Sequence, residues 1–532
     1  MRIIRTPTGA GSPFAPPKTR GSSGQVPDDH GGFSVEDFPY TNDLKHTHAD
    51  TEGFLDYLDK FQTHRFWFKD AGVRNWAFGE DFDNWQDTYG VDAALAVYVS
   101  THGGMGADGN FSVSMGSDWE NQGHHARSFD MRIGNERCNY VWWSSCESIR
   151  VKGGHDPIRS WGNAAQGFRM MFGYETVSDD DGDYGEDFWD EWNEGKSFST
   201  AFLDASWDNS TDQEPSVVAV GASADEARDR LFNERMLFWD HVSSEWWHWR
   251  WLEKANPARR VPNAELPKEP LIAILQRVEV DAKYVEDRLK QHKVDMPLPR
   301  EVLANLRGAF FIRHETIRSS FFGDGAYEIE FQQPTLQNRT ALSEERAVHL
   351  AEQYIRETKL ATNFDLTFDF IRRGKMAGSD RCGQSRTDPY TFESTVEFTQ
   401  VVNALPVLSP DRGRLRISID NDGRVTRVQD DLRPIQELTK LARETNADPK
   451  KPLRMAELDV YRKLLMIGWQ KQSKCWQALG KGPSEMRTLP NTEEIGYVVD
   501  GNTMALVARA VVEVTGPEGF KKRYTVVKPI VK

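Results

Sequence analysis

The chain has 532 residues, 38% hydrophobic and 28% charged, with 66 Lys and Arg against 81 Asp and Glu for a net charge of −15. That length exceeds one ordinary core, a mean hydropathy of −0.63 without long apolar runs excludes membrane-spanning helices, and the acidic balance lacks the concentrated positive face of a nucleic-acid binder. Four cysteines cannot build a disulfide scaffold, so they are expected as thiols.

Residues 1–34 are rich in Pro, Gly, Ser and basic residues and are expected to form a disordered tail. They lack the continuous apolar core of a secretory signal, and the expected location is cytoplasmic. Residues 35–252, where most of the tryptophans lie, are expected to form an α/β domain. Residues 253–270 are expected to form a proline-rich linker, with four prolines between Asn256 and Pro270. Residues 271–532 are expected to form an α+β accessory domain.

In chain order, Ala93–Ser100 is a continuous apolar run of strand length, as expected for a strand buried on both faces of a parallel sheet. Phe111–Met115 alternates and predicts a short hairpin strand. His124-His125 falls in a polar stretch without Cys or His at metal-ligand spacing and reads as surface loop, so no metal or cofactor is expected. Tyr140–Ser144, Phe168–Tyr174 and Ser216–Val220 are further strands. Helices are predicted over Asp187–Leu203 and Asp225–Val242, the second opened by the capping spacing of Ser223 and Glu226. The alternation of strands and helices predicts a mostly parallel sheet between helical layers. The acidic run through residues 179–190 either holds calcium or is a solvated loop; it lacks EF-hand spacing. Trp246, Trp247, Trp249 and Trp251 read as a cluster between domains.

Beyond the linker, Ser343 caps a helix with Ala347, Leu350, Ala351, Tyr354 and Ile355 on one face. Phe392–Phe398 and Leu415–Ile419 alternate, and Asn421-Asp422-Gly423 turns the chain into Val425. A last hairpin runs from about Thr503 to Val514, turns at Gly516-Pro517-Glu518-Gly519 and returns through Tyr524 to Val527.

Two segments carry candidate chemistry, each placing a reactive residue just past a buried strand. One ends in Ser100-Thr101-His102-Gly103-Gly104, the other in Ser144-Ser145-Cys146-Glu147-Ser148. Ligands of open α/β sheets gather at the carboxyl ends of strands, so both would face one crevice. There His102 can take the thiol proton of Cys146, and the thiolate can attack a carbonyl carbon. Without side chains, Gly103 and Gly104 let the backbone approach a substrate and point an N–H at a developing oxyanion. Cys138, near the start of the same strand, is expected at the far end of the sheet; Cys382 and Cys475 have no patterned neighbours.

A strand ending in a small residue plus His-Gly, then a strand ending in a small residue plus Cys 44 residues on, resembles the caspase, legumain and gingipain fold of cysteine peptidases. The resemblance covers Phe38 to about Trp239. It implies a caspase-like three-layer sandwich, His102 as general base, Cys146 as nucleophile, and the Gly103 and Cys146 amides as oxyanion donors. By position Ser144 would contribute to the substrate pocket. Thr391–Val428, with Leu405-Pro406-Val407 and the Asn421-Asp422-Gly423 turn, resembles PepSY-like domains, which accompany peptidases. The expected function is a cysteine-dependent peptidase, or a related acyl-transfer enzyme that ligates or cyclises, acting on a peptide or protein substrate without nucleic acid, membrane or cofactor. The alternative is a non-catalytic binding protein that keeps the fold. Oligomeric state stays open.

Overall fold

The computed structural model describes residues 2–5, 12–15, 30–255, 271–294, 310–314, 317–440, 485–490 and 492–529. Its centre is a parallel sheet built from the short apolar segments. In spatial order these are Phe66–Lys69, His30–Ser34, Ala96–Ser100, Tyr140–Ser144 and Met170–Tyr174, all parallel neighbours. The strands of this block that carry apolar side chains on both faces are buried throughout, as their continuous apolar sequences require.

Alternate residues face two separate cores. Tyr98, Trp142 and Phe172 pack against Phe54, Phe188, Trp189, Phe202 and Leu231 of four helices. Val97, Val99, Val141, Trp143 and Met171 pack on the other side against Trp76, Phe78, Phe111 and Trp161. That second layer is made of short helical turns and a three-stranded sheet of Gly103–Met105, Phe111–Ser114 and His125–Arg127. Trp142 stacks on Phe172 with ring centroids 4.5 Å apart, and burying each such aromatic stabilises the fold by about 2 kcal/mol.

The sheet does not end with this block. Pro215–Gly221 and Trp246–Ala255 join antiparallel, and Asp365–Asp380 of the second block then pairs along the whole of Trp246–Ala255. Further antiparallel strands carry it to a total of sixteen. Strand therefore outweighs helix, 38% to 22%, and the sheet is mixed where a mostly parallel one is expected. Trp247, Trp249 and Trp251 are buried at this junction, as an inter-block cluster should be. A second sheet of six strands is centred on Thr503–Thr515.

Several expectations need correction. Within the supposed disordered tail, His30–Ser34 is a buried strand: Gly31 and Gly32 leave the space that Phe66, Thr51 and Leu55 fill, which composition alone hides. Arg2–Arg5 also pairs, with Phe310–His314. The supposed linker begins inside the strand Trp246–Ala255, since Glu253, Lys254 and Ala255 still pair with residues 371–373; residues 256–270 lie outside the described residues. The helix expected over Asp187–Leu203 is two, Tyr184–Asn193 and Phe198–Asn209. Gly195, at φ +89°, ends the first, and the Ser197 hydroxyl accepts from the Thr200 N–H to start the second. The next helix stops at Asn233 rather than Val242, although Ser223 caps it as expected. Among the described residues, no helix is long and apolar enough to cross a membrane.

Candidate functional site

The two candidate residues follow neighbouring strands at equivalent positions. Ala96–Ser100 and Tyr140–Ser144 are parallel and in register, Ser100 opposite Ser144. His102 and Cys146 each lie two residues past that pair, so both sit at the carboxyl edge of the sheet. The chain then turns sharply on both strands. A Cβ on Gly103 would come within 2.9 Å of the Cys146 carbonyl oxygen and of Ser145 Cβ, a contact only glycine tolerates. Beyond Cys146, Glu147 adopts a left-handed conformation, φ +54°, held because its N–H donates to the Thr176 carbonyl and its carboxylate accepts from Met105 N–H.

His102 is fully buried. Its Nε2 lies 2.8 Å from the Asn42 carbonyl oxygen, which can only accept, so Nε2 carries the proton. In a neutral imidazole Nδ1 then holds the lone pair, and no hydrogen bond occupies it. Burial, with a small contribution from the nearby Lys522 charge, pushes the His102 pKa down to about 3, so the ring is neutral. Cys146 is equally buried. The Ser178 N–H donates to its Sγ at 3.4 Å, and the Ser178 hydroxyl lies 3.5 Å from it. The thiol also faces the Ser178 carbonyl oxygen at 3.8 Å, and Lys522 Nζ donates to the Ser178 hydroxyl at 3.0 Å.

Beneath the strand ends lies a carboxylate that sequence reasoning missed. Asp50 is buried, accepts from Tyr98 at 2.6 Å, Ser100 at 2.7 Å and Gly185 N–H at 3.1 Å, and also binds the Ser144 hydroxyl. Desolvation raises its pKa to about 6 against those hydrogen bonds. Ser144, expected in a substrate pocket, is thus buried and tied to Asp50.

The site is covered by the last hairpin, Thr503–Thr515 with Lys521–Pro529. Phe520 stacks 6.0 Å from the His102 ring, with Phe38 on the imidazole at 4.8 Å, and approaches Gly104. Gly516 passes so close to Thr41 and Asn42 that a Cβ there would lie 2.3 Å from their side-chain oxygens. Arg523 N–H donates to the Ser178 carbonyl and Asp180 N–H to the Arg523 carbonyl, so the return strand is sewn along residues 178–180. The start of the acidic run is consequently packed under this strand rather than solvated, with Asp179 accepting from Thr525. Farther along, Asp181, Asp183, Asp187 and Asp190 line a cavity of about 580 Å³, where burial and mutual repulsion raise Asp187 to about 8. Cys138 lies at the opposite end of the sheet, as expected, and Cys382 is exposed; Cys138, Cys146 and Cys382 are free thiols, and Cys475 lies outside the described residues.

His102, Gly103 and Cys146 were legible as strand-end residues. Asn42, Asp50, Ser178, Phe520 and Lys522 were not, because each reaches the site from a segment without a local motif. Residues 33–251 match the family model described as a domain of unknown function, DUF6345. No curated protein matches the chain. The matched stretch contains Asp50, His102 and Cys146; the hairpin over them lies outside it.

Proposed function

We propose that the chain is a latent cysteine-dependent acyl-transfer enzyme, a peptidase or a ligase, built on a caspase-like sandwich with a PepSY-like accessory region. The observation that carries this reading is the in-register placement of His102 and Cys146 past Ser100 and Ser144, with His102 Nδ1 bearing an unoccupied lone pair. In the proposed cycle, opening brings Nδ1 onto Sγ, to which it is not hydrogen-bonded in the closed structure; Nδ1 then takes the Sγ proton and the thiolate attacks a peptide carbonyl carbon. The amides of Gly103 and Cys146 receive the oxyanion. The imidazolium then protonates the leaving amine as the C–N bond breaks, leaving an acyl-enzyme. Water or a second amine, deprotonated by His102, releases it.

Latency follows from burial. With both reactive side chains sealed from solvent, a substrate reaches them only when the turn carrying Phe520 lifts. The same movement rehydrates His102 and brings its pKa back toward the ordinary histidine range, where a general base works near neutral pH. The same burial favours a second reading, a binding protein in which the hairpin never leaves. Turnover of a peptide library separates them. The full chain carrying Phe520→Ala is expected to cleave or ligate peptides, and adding Cys146→Ser should lower that rate on the order of 10³-fold or more with an unchanged fold. Equal rates with and without Cys146→Ser would leave only the binding reading.

A further inference from the structure

The turn of the covering hairpin meets the first block at a second cluster. Glu518 Oε1 lies 2.6 Å from His124 Nε2, and Glu518 Oε2 lies 3.3 Å from His125 Nε2. One ligand atom from each of the three residues falls within 4.8 Å of the others. The second ring nitrogen of His124, Nδ1, is 3.0 Å from Asp118 Oδ1, and Tyr40 donates its hydroxyl proton to the other Asp118 oxygen.

Proton counting makes this cluster unusual. Both nitrogens of His124 face carboxylate oxygens, yet a neutral imidazole has one N–H. A divalent ion taken up by the three side chains, which would part from their present 2.6 Å contact to admit it, gives both nitrogens a partner. With the ion bound, every one of these atoms is used. Nδ1–H donates to Asp118, Nε2 offers its lone pair, His125 binds as a neutral ligand, and Glu518 supplies the anionic oxygen. A carboxylate holding the far nitrogen of a metal-bound histidine is the usual outer support of such sites. Two imidazoles and one carboxylate select a transition ion of the zinc class over calcium or magnesium. The three side chains are 18%, 29% and 21% exposed, which leaves solvent access for a fourth ligand.

We propose that His124, His125 and Glu518 bind a divalent zinc-class ion that fastens the hairpin turn over the His102–Cys146 site. Binding joins residues 393 positions apart, and Phe520, two residues from Glu518, touches both the His125 ring at 5.3 Å and His102. His125–Arg127 pairs with Phe111–Ser114, which pairs with Gly103–Met105, so the ion couples the turn to the sheet that carries Gly103. The regulatory half of this inference rests on the proposed acyl-transfer reading; the binding half does not.

The test uses the full chain, stripped with a chelator and titrated with zinc chloride. One zinc per chain is expected to bind wild type and Cys146→Ser equally, which excludes the thiol as a ligand. His125→Ala and Glu518→Gln should each weaken binding at least 100-fold, and Asp118→Asn 10–100-fold. Zinc should also slow hydrogen exchange of the amides of residues 516–520 in wild type but not in Glu518→Gln. Zinc affinity insensitive to Glu518→Gln, or exchange unaffected by zinc, overturns the clamp. Neither readout needs Cys146 chemistry, so an inactive thiol with intact zinc protection rejects the enzyme and keeps the clamp.

Discussion

The two ends of the Tyr140–Ser144 strand carry similar inventories. At the amino end lie a buried thiol, Cys138, and a buried carboxylate, Asp92, raised to about 6 by desolvation. At the carboxyl end lie Cys146 and Asp50, also raised to about 6. Burial and a displaced carboxyl pKa therefore do not mark the candidate site. The ends differ in two other respects. Asp92 is consumed by backbone, accepting from Gly134, Glu136, Arg137 and Cys138 N–H groups, whereas Asp50 also accepts from the Tyr98 and Ser100 hydroxyls. The amino end is closed by loops 42–46 residues away in sequence, whereas the carboxyl end is closed by a hairpin more than 300 residues distant. One end is closed locally in sequence; the other is covered by a distant segment.

The largest expected difference between the ends is the sign of their pH dependence. His102 is held well below its unfolded value near 6.5. Between pH 6.5 and 3 the unfolded chain binds a proton the native state refuses, so the stability present above pH 6.5 is lost as pH falls. The stability of wild type relative to His102→Gln should rise by about 3 kcal/mol between pH 4 and 7. Asp92 is displaced upward, so the native state holds the extra proton and stability is lost as pH rises from 3.8 to about 6. Wild type relative to Asp92→Asn should therefore fall by about 2–3 kcal/mol over the same range. Urea midpoints at the two pH values check both, and slopes of the same sign would erase the contrast.

A smaller effect tests whether the distant cover is removable. Phe520→Ala removes the ring that seals His102 and should weaken hairpin docking by about 2 kcal/mol. Alkylation of Cys146 by iodoacetamide should then accelerate roughly thirtyfold, with Cys138 unchanged. Gly516→Ala should act in the same direction because of its contact with Thr41 and Asn42. Peptide mass spectrometry of quenched samples reads each thiol; equal acceleration at Cys138 would mean global loosening.

Local patterns explain how much of this was legible. The apolar runs at Ala93–Ser100 and Tyr140–Ser144 gave the strands and hence the position of His102 and Cys146, because a strand buried on both faces leaves a continuous signature. The last hairpin was equally readable from its Gly-Pro-Glu-Gly turn. That its turn lies on His102 was not, since docking across hundreds of residues leaves no local spacing. His30–Ser34 escaped for a related reason: two glycines read as flexible until Phe66 is seen filling their space. The continuation of the sheet through Trp246–Ala255 was hidden by the prolines that follow it, which suggested a boundary where strand pairing continues.

The central claim, that His102 and Cys146 form a reactive pair, is most directly tested with a peptidyl acyloxymethyl ketone on the full chain carrying Phe520→Ala. Such a reagent alkylates a thiol activated by a neighbouring base and spares ordinary thiols. Mass spectrometry should find one adduct, on Cys146, reduced at least 100-fold by adding His102→Ala. Adducts spread over Cys138, Cys146 and Cys382, or a Cys146 adduct indifferent to His102→Ala, would contradict the claim.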